Sequence, residues 1–318
     1  MKPAPKPLGL YIHIPFCKHK CVYCDFYSLS GQESRMDDYT DALCAHLAEI
    51  APFAAGHQVD TVYFGGGTPS YLGTKRLIKL LKTIQKKYRL DKQAEITLEA
   101  NPDSAGDWKA LRALRRAGFN RISLGVQSAD PQQLRCLHRI HSPKQVVQAV
   151  ADIRQAKINN LSLDLIYGLP QLSVEQWRRT LDDFLSLDVP HLSAYHLSVE
   201  PRTALGKRFE RGAFHPAGER LSEAHYALLH AVLTGAGYRH YEISSFARPG
   251  FESRHNSSYW KGVRYLGVGP AAHSFDGDRR RWNVSDVREY LRKEPEGTQY
   301  ETEEITPKDA YNEFVMTG

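Results

Sequence analysis

The chain has 318 residues, and its 42 Lys and Arg against 36 Asp and Glu leave a formal charge of +6 with His neutral, a length that suits two domains or one large α/β domain with an appendage. With 42% hydrophobic and 25% charged residues the composition excludes disorder and collagen, and no stretch nears the roughly 18 uncharged apolar residues of a membrane span. Five cysteines are too few and too unevenly placed for a disulfide framework, and the start MKPAPKPLGLYIHIPF lacks the apolar run of a signal peptide, so a cytoplasmic, reducing setting is expected.

Residues 10–14 read as a first strand, and the cysteines Cys17, Cys21 and Cys24 follow it directly as CxxxCxxC. Residues 37–51 form an amphipathic helical pattern. A strand at 61–64 runs into Gly65-Gly66-Gly67-Thr68-Pro69, and a helix follows at 74–89. A strand at 95–99 ends on Glu99, and a helix at 106–118 has Asp107 as a plausible N-cap. A strand at 121–126 precedes Gln127, a helix spans 143–157, and a strand at 161–166 carries Asp164. Ser173 and Gln176 make a capping box for a helix at 173–187. A strand at 191–198 and a helix at 217–236 close the series.

Alternating strands and helices mean parallel strands joined by right-handed crossovers. Six strands fall short of the eight in a closed barrel. An incomplete barrel and a doubly wound sheet both fit that count. Beyond Gly237 the texture changes: residues 238–246 are aromatic and β-like, and glycine-rich loops occupy 262–277. A helical pattern begins at 306 and stops at 318 without a cap. The expected division is a first domain at 1–236 and a smaller α+β domain at 237–318 that looks cut short. Cys44 and Cys136 lie in helical patterns and read as small core residues.

The cysteine loop sits where parallel α/β folds place their sites, at the C-terminal ends of strands. Three thiolates could hold three irons of a [4Fe–4S] cluster and leave the fourth iron open. Structural zinc prefers four ligands, usually in two separated pairs, and only His19 and Asp25 stand near as extra donors. The glycine run could be a tight turn or bare backbone open to a ligand. Glu99 could cap a helix. Asp164 in an apolar strand needs a partner, for which Arg139 is a candidate. The basic cluster at 109–116 reads as a solvated helix face. No basic run interleaves with aromatics as a nucleic-acid groove would, while attraction to a propionate-bearing ligand stays open.

CxxxCxxC after a first strand, preceded by Tyr11-Ile-His-Ile-Pro-Phe16, resembles the radical S-adenosylmethionine (SAM) enzymes. The resemblance implies an incomplete (β/α)6, three-quarter TIM-type barrel with a smaller C-terminal α+β domain. It implies a [4Fe–4S] cluster on Cys17, Cys21 and Cys24, with SAM chelating the open iron. An electron from the cluster then splits SAM into methionine and a 5′-deoxyadenosyl radical. The same resemblance assigns Gly66, Gly67 and Thr68 to the SAM amino group and Glu99 to its ribose. Tyr11, Tyr23, Gln127, Arg139, Asp164 and, more loosely, Ser198 line the implied pocket.

The segments YIHIPFC, FGGGTPS, EANP, SLGVQS, DLIYGLP and YEISSFARPGFESRHNSSYW cover nearly the whole chain. They are similar to the oxygen-independent coproporphyrinogen III oxidase family, which decarboxylates two propionates on a tetrapyrrole. That family's motif usually continues to a fourth cysteine, where Phe26 stands here, and its extended N-terminal segment is also missing. Both departures point to the heme-chaperone branch, HemW, whose HNxxYW motif is present as His255-Asn256-Ser257-Ser258-Tyr259-Trp260. A His beside aromatics could ligate heme iron, or could pack structurally in a turn; His19 and His240 are other candidates. The leading expectation is a cytoplasmic protein of radical SAM type that binds a [4Fe–4S] cluster, SAM and heme, with His255 toward heme. It would pass heme to an acceptor protein, a respiratory-chain protein being one candidate. Nucleic acid is not expected as a partner, and membrane contact is expected only through the acceptor. The alternatives are a coproporphyrinogen III oxidase, another radical SAM reaction, and a zinc-bearing binding module.

Overall fold

Leu8, Leu10, Ile12 and Ile14 alternate along the first strand and are all buried, and the same holds for Val62 and Phe64 and for Leu161, Leu163 and Leu165 in later strands. Strands buried on both faces need helices on the outside. The computed structural model, which describes residues 5–292 and 300–317, arranges them accordingly. Six parallel strands, β1 (Lys6–Ile14), β2 (His57–Gly66), β3 (Leu90–Ala100), β4 (Arg121–Gln127), β5 (Asn160–Tyr167) and β6 (His191–His196), lie side by side in sequence order. Between them run α1 (Met36–Ile50), α2 (Thr74–Lys87), α3 (Trp108–Ala117), α4 (Pro131–Cys136), α5 (Pro143–Gln155) and α6 (Val174–Ser186). The helices α7 (Ala204–Glu210) and α8 (Glu219–Gly235) follow.

Strand order decides between the two architectures that six strands allow. A doubly wound sheet reverses direction at a switch point. Here every crossover steps the same way, which is the winding of a barrel. β1 and β6 do not pair with each other, so the barrel is open. Its free edges are instead paired by later strands, which satisfies backbone groups that would otherwise stand open. β6 takes the short antiparallel pair β7 (Arg239–Glu242) and β8 (Ser245–Ala247). The chain then crosses through α9 (Arg254–Trp260) to the other edge. There β9 (Tyr265–Val268) pairs β1 in parallel, and β10 (His273–Phe275), β11 (Arg279–Asn283) and β12 (Tyr300–Glu304) continue antiparallel. Gly237, where the second domain is expected to begin, is a left-handed turn residue (φ 84°) between α8 and β7. The strands after it belong to the same sheet as the barrel.

Local chemistry sets the helix starts. Asp107 accepts from the backbone of Lys109 at 2.9 Å and of Ala110 at 3.2 Å, and Ser173 with Gln176 forms the expected capping box. Strands run longer than their apolar segments suggest: β2 continues through Gly65 and Gly66 because both pair with β1, and pairing outweighs the weak strand preference of glycine. β6 is shorter, ending at His196 where its partner β5 runs out at Tyr167. Cys44 and Cys136 are half-buried against the core. The helical pattern expected from 306 is α11 (Pro307–Thr317), preceded by α10 (Val287–Arg292); Gly318 lies outside the described residues. No helix among the described residues is long and apolar enough to cross a membrane.

Candidate functional site

The chain leaves β1 through Pro15 into the cysteine loop, and backbone bonds pin the loop at its base. The Cys17 amide donates to the Leu29 carbonyl at 2.8 Å and the Leu29 amide to the Pro15 carbonyl at 2.6 Å. The Cys24 amide reaches the Cys21 carbonyl at 3.3 Å, and the Leu205 amide of α7 holds the Val22 carbonyl at 2.8 Å. Cys17 is buried, Cys21 and Cys24 half-buried, and all three are free thiols. Two outside donors address the sulfurs. The Thr68 hydroxyl donates to Cys17 Sγ at 3.5 Å, and Arg139 Nη1 donates to Cys21 Sγ at 3.2 Å.

Burial pushes the Cys17 thiol up and the Cys24 thiol up to about 11, so iron or another metal must displace their protons on binding. Among the described residues no three His, Cys, Asp or Glu converge closely enough to hold one ion. In a [4Fe–4S] cluster each thiolate takes its own iron, so three sulfurs on one preformed loop fit that group. Hydrogen bonds to the sulfurs would tune its potential.

The glycine loop at the end of β2 packs directly on the cysteine loop. The Gly67 amide donates to the Ile14 carbonyl at 2.8 Å, and the Thr68 amide to the Phe16 carbonyl at 2.9 Å. A Cβ on Gly67 would lie 2.9 Å from the Phe16 oxygen and 3.0 Å from Cys17 Sγ. Gly66 stands at φ 113°, where a Cβ would meet the His13 ring at 2.6 Å. Its amide donates to Glu99 Oε2 at 3.1 Å, while the Tyr63 hydroxyl donates to Glu99 Oε1 at 2.8 Å.

Asn101 joins the parts: it donates to the Thr68 hydroxyl at 3.1 Å and accepts from Arg139 Nη2 at 2.7 Å. Arg139 also donates to the Gly125 carbonyl at 2.5 Å. With three partners already, Arg139 does not pair with Asp164. Asp164 accepts from the Ser123 hydroxyl at 2.8 Å and the Ser162 hydroxyl at 3.3 Å instead. Burial drives its carboxyl up and those hydroxyls draw it down. Gln127 ends β4 in the left-handed region (φ 62°), and its amide lies 3.0 Å from where a Gly125 Cβ would sit. Tyr23 lies against Cys21 and Arg139, and its phenol is pushed up, chiefly by burial. Tyr11 stacks on Tyr63 at 6.2 Å and its hydroxyl meets His13 Nδ1 at 3.1 Å. Ser198 is exposed, past the end of β6, and bonds Glu200. A guanidinium, two carboxylates, two amides and bare glycine backbone at one edge could hold a zwitterion that carries a ribose.

Glu99 makes a pH dependence legible. Burial raises its carboxyl from 4.5 to about 7. An acid raised in the fold stabilises it only while protonated. That contribution is full below 4.5 and is lost as pH rises to about 7. Without SAM, stability should fall across that window, and Glu99→Gln should flatten the fall. Urea midpoints at about pH 4 and about pH 8 check this; equal slopes in both proteins would refute it.

The His255 motif lies on α9, whose first amides are held by a buried carboxylate. Glu95 accepts from the Arg254 amide at 3.1 Å and the His255 amide at 3.0 Å, the favoured charge at a helix start. The His255 ring enters the barrel interior. Its Nδ1 meets the Thr61 hydroxyl at 2.9 Å, its Nε2 meets the Tyr259 hydroxyl at 2.9 Å, and it stacks on Tyr63 at 5.0 Å. It is 1% exposed, and burial lowers its pKa to about 3. Both nitrogens are thus engaged. Tyr259 and Trp260 are instead 41% and 46% exposed.

A cavity of about 920 Å³ opens beside the cysteine loop, with Tyr11, Cys21, Cys24, Phe26, Tyr259 and His273 among its lining residues. Phe26, where a fourth cysteine would fall, is 69% exposed at this wall. The other candidate histidines lie elsewhere. His19 lines a separate hollow with Arg135 and His138, and His240 stacks on Phe246 at 4.3 Å. Tyr63, Asn101, His13 and His273 belong to the site without having been singled out from the sequence. Asn101 was legible within the EANP segment, whereas His273 sat in a stretch that reads only as loop.

The model of the radical SAM superfamily matches residues 11–184. A heme chaperone HemW of Mycobacterium tuberculosis is 40% identical over 289 residues, covering 90% of this chain and 74% of that protein. The Bacillus subtilis heme chaperone HemW is 35% identical over 97% of this chain and 82% of its own length. Among solved structures, coproporphyrinogen III oxidase (HemN) from Escherichia coli, described as a radical SAM enzyme, superimposes with a TM-score of 0.86 at 26% identity. That likeness spans 98% of this chain and 75% of the oxidase.

Proposed function

The chain belongs to the radical SAM superfamily and, within it, to the HemW family, and from that membership we propose that it is a heme chaperone. It binds a [4Fe–4S] cluster, SAM and heme, and hands heme to an acceptor protein in the cytoplasm or at a membrane-bound partner; a respiratory-chain protein is one candidate. The observation that carries this reading is the cavity that has Cys21 and Cys24 on one wall and Tyr259 of the HNxxYW motif on another. Its size and aromatic lining suit a large planar ligand.

In this reading Cys17, Cys21 and Cys24 carry the cluster, which when bound presents one iron without a protein thiolate for SAM to chelate. Gly66, Gly67 and Thr68 receive the SAM amino group and Glu99 the ribose. Tyr11, Tyr23, Gln127, Arg139 and Asp164 enclose SAM, and Ser198 lies at the outer margin. Hemin titrated into anaerobically reconstituted protein should produce a shifted Soret band that saturates at stoichiometric hemin. Absence of that shift would remove heme from the reading.

The likeness to the oxidase structure supports a second reading, coproporphyrinogen III oxidation. Phe26 in place of a fourth cysteine speaks against it. Reconstituted protein given coproporphyrinogen III, SAM and a reductant should release no protoporphyrinogen, and sustained release would displace the chaperone reading.

A further inference from the structure

Three histidines stand in or against the large cavity, and their ring nitrogens are not equivalent. His13 is buried, with Nδ1 at 3.1 Å from the Tyr11 hydroxyl and Nε2 at 2.9 Å from the Tyr27 carbonyl. His255 is buried, with both nitrogens taken by Thr61 and Tyr259. His273, on β10, is exposed at the cavity wall. Neither of its nitrogens has a hydrogen-bond partner among the described residues.

His273 is also held in place. It lies opposite Trp282 on β11, and the two rings stack at 5.7 Å with 25° between their planes. From behind, Gly267 of β9 packs against its backbone so closely that a Cβ there would fall 2.0 Å from the His273 oxygen. Burial, and then the charge of Arg280, push its pKa down. A neutral imidazole is the form that binds a metal. A haem-type iron takes such an imidazole as its axial ligand.

The same cavity offers what a porphyrin needs beyond the iron. Phe26, Tyr259 and Tyr265 supply aromatic surface, and Lys20 and Arg202 supply positive charge. Carboxylate side arms on a planar apolar ring suit that combination. We propose that His273 is the axial imidazole ligand of heme in this cavity, braced by Trp282, with Lys20 and Arg202 facing the propionates. The assignment rests on the heme-chaperone reading and moves the ligand from the HNxxYW motif to the strand beyond it.

The test is hemin titration of the reconstituted full chain, followed by Soret position, ferric electron paramagnetic resonance and affinity. Wild-type protein should give the spectrum of an imidazole-ligated heme. His273→Ala should lose that spectrum and bind hemin about tenfold or more weakly, and free imidazole should restore the spectrum. His273→Gln, polar and of similar length at an exposed strand position, should behave alike and guards against misfolding, which unchanged iron and sulfide content in both variants would exclude. A variant spectrum identical to wild type would overturn the assignment. So would a loss that imidazole does not restore, since that marks a merely structural role. If wild-type protein itself fails to bind hemin, the chaperone reading falls first, and the two failures are told apart.

Discussion

Alanine at Cys17, Cys21 and Cys24 together is expected to abolish uptake of iron and acid-labile sulfide while the fold persists. The loop does not depend on its sulfurs for shape. Its base is closed by the Cys17–Leu29 and Leu29–Pro15 backbone bonds, and α7 holds its middle through the Leu205 amide. Only Cys17 is deeply buried, so the truncations should each cost no more than about 1–2 kcal/mol of stability. Iron and sulfide analysis after anaerobic reconstitution reads the effect, and circular dichroism melting checks the fold. Iron content equal to wild type would refute the cluster assignment.

Gly267→Ala should be the most damaging alanine substitution among the described glycines. The added Cβ would stand 2.0 Å from the His273 oxygen, 2.7 Å from its carbonyl carbon and 2.9 Å from its nitrogen. All three are backbone atoms, so no side chain can swing aside. β10 must separate from β9, and β11 and β12 depend on β10 for their place in the sheet. Overpacking of this severity lies at the upper end of the usual range, about 3 kcal/mol or more. Gly66→Ala differs in kind, since the clash there is with the buried His13 ring and a φ of 113° adds backbone strain. A urea midpoint unchanged by Gly267→Ala would show that the sheet edge adjusts freely. Hemin affinity should fall with stability, because the same strand carries His273, whereas the cluster loop beyond Ile14 should still load iron.

Much of the barrel was legible because its signals are local. Leu10, Ile12 and Ile14 alternate, Asp107 and Ser173 sit at helix starts, and three cysteines fall within one loop. Each of these is a pattern over a few residues, and backbone geometry converts it directly into a strand, a cap or a loop at a strand end. The glycine loop after Phe64 was legible for the same reason. β9, β10, β11 and β12 were not, because runs of three to five residues are too short to show a period.

Other features depend on partners far away in the chain. Asn101 links Thr68 to Arg139, and no spacing announces that. His255 looked like a ligand because of its type and neighbours, yet its environment is set by Thr61, Tyr63 and Glu95, which only the closed barrel brings to it. The sequence by itself determined the βα series and the place of the cysteine loop at the end of its first strand. The tertiary structure alone decided that six strands wind one way as an open barrel, that the later strands pair both its edges, and which of the three histidines at the large cavity keeps its nitrogens bare. The physical reason is range: propensity and periodicity act over neighbouring residues, whereas burial and hydrogen-bond satisfaction are settled between elements that meet only on folding.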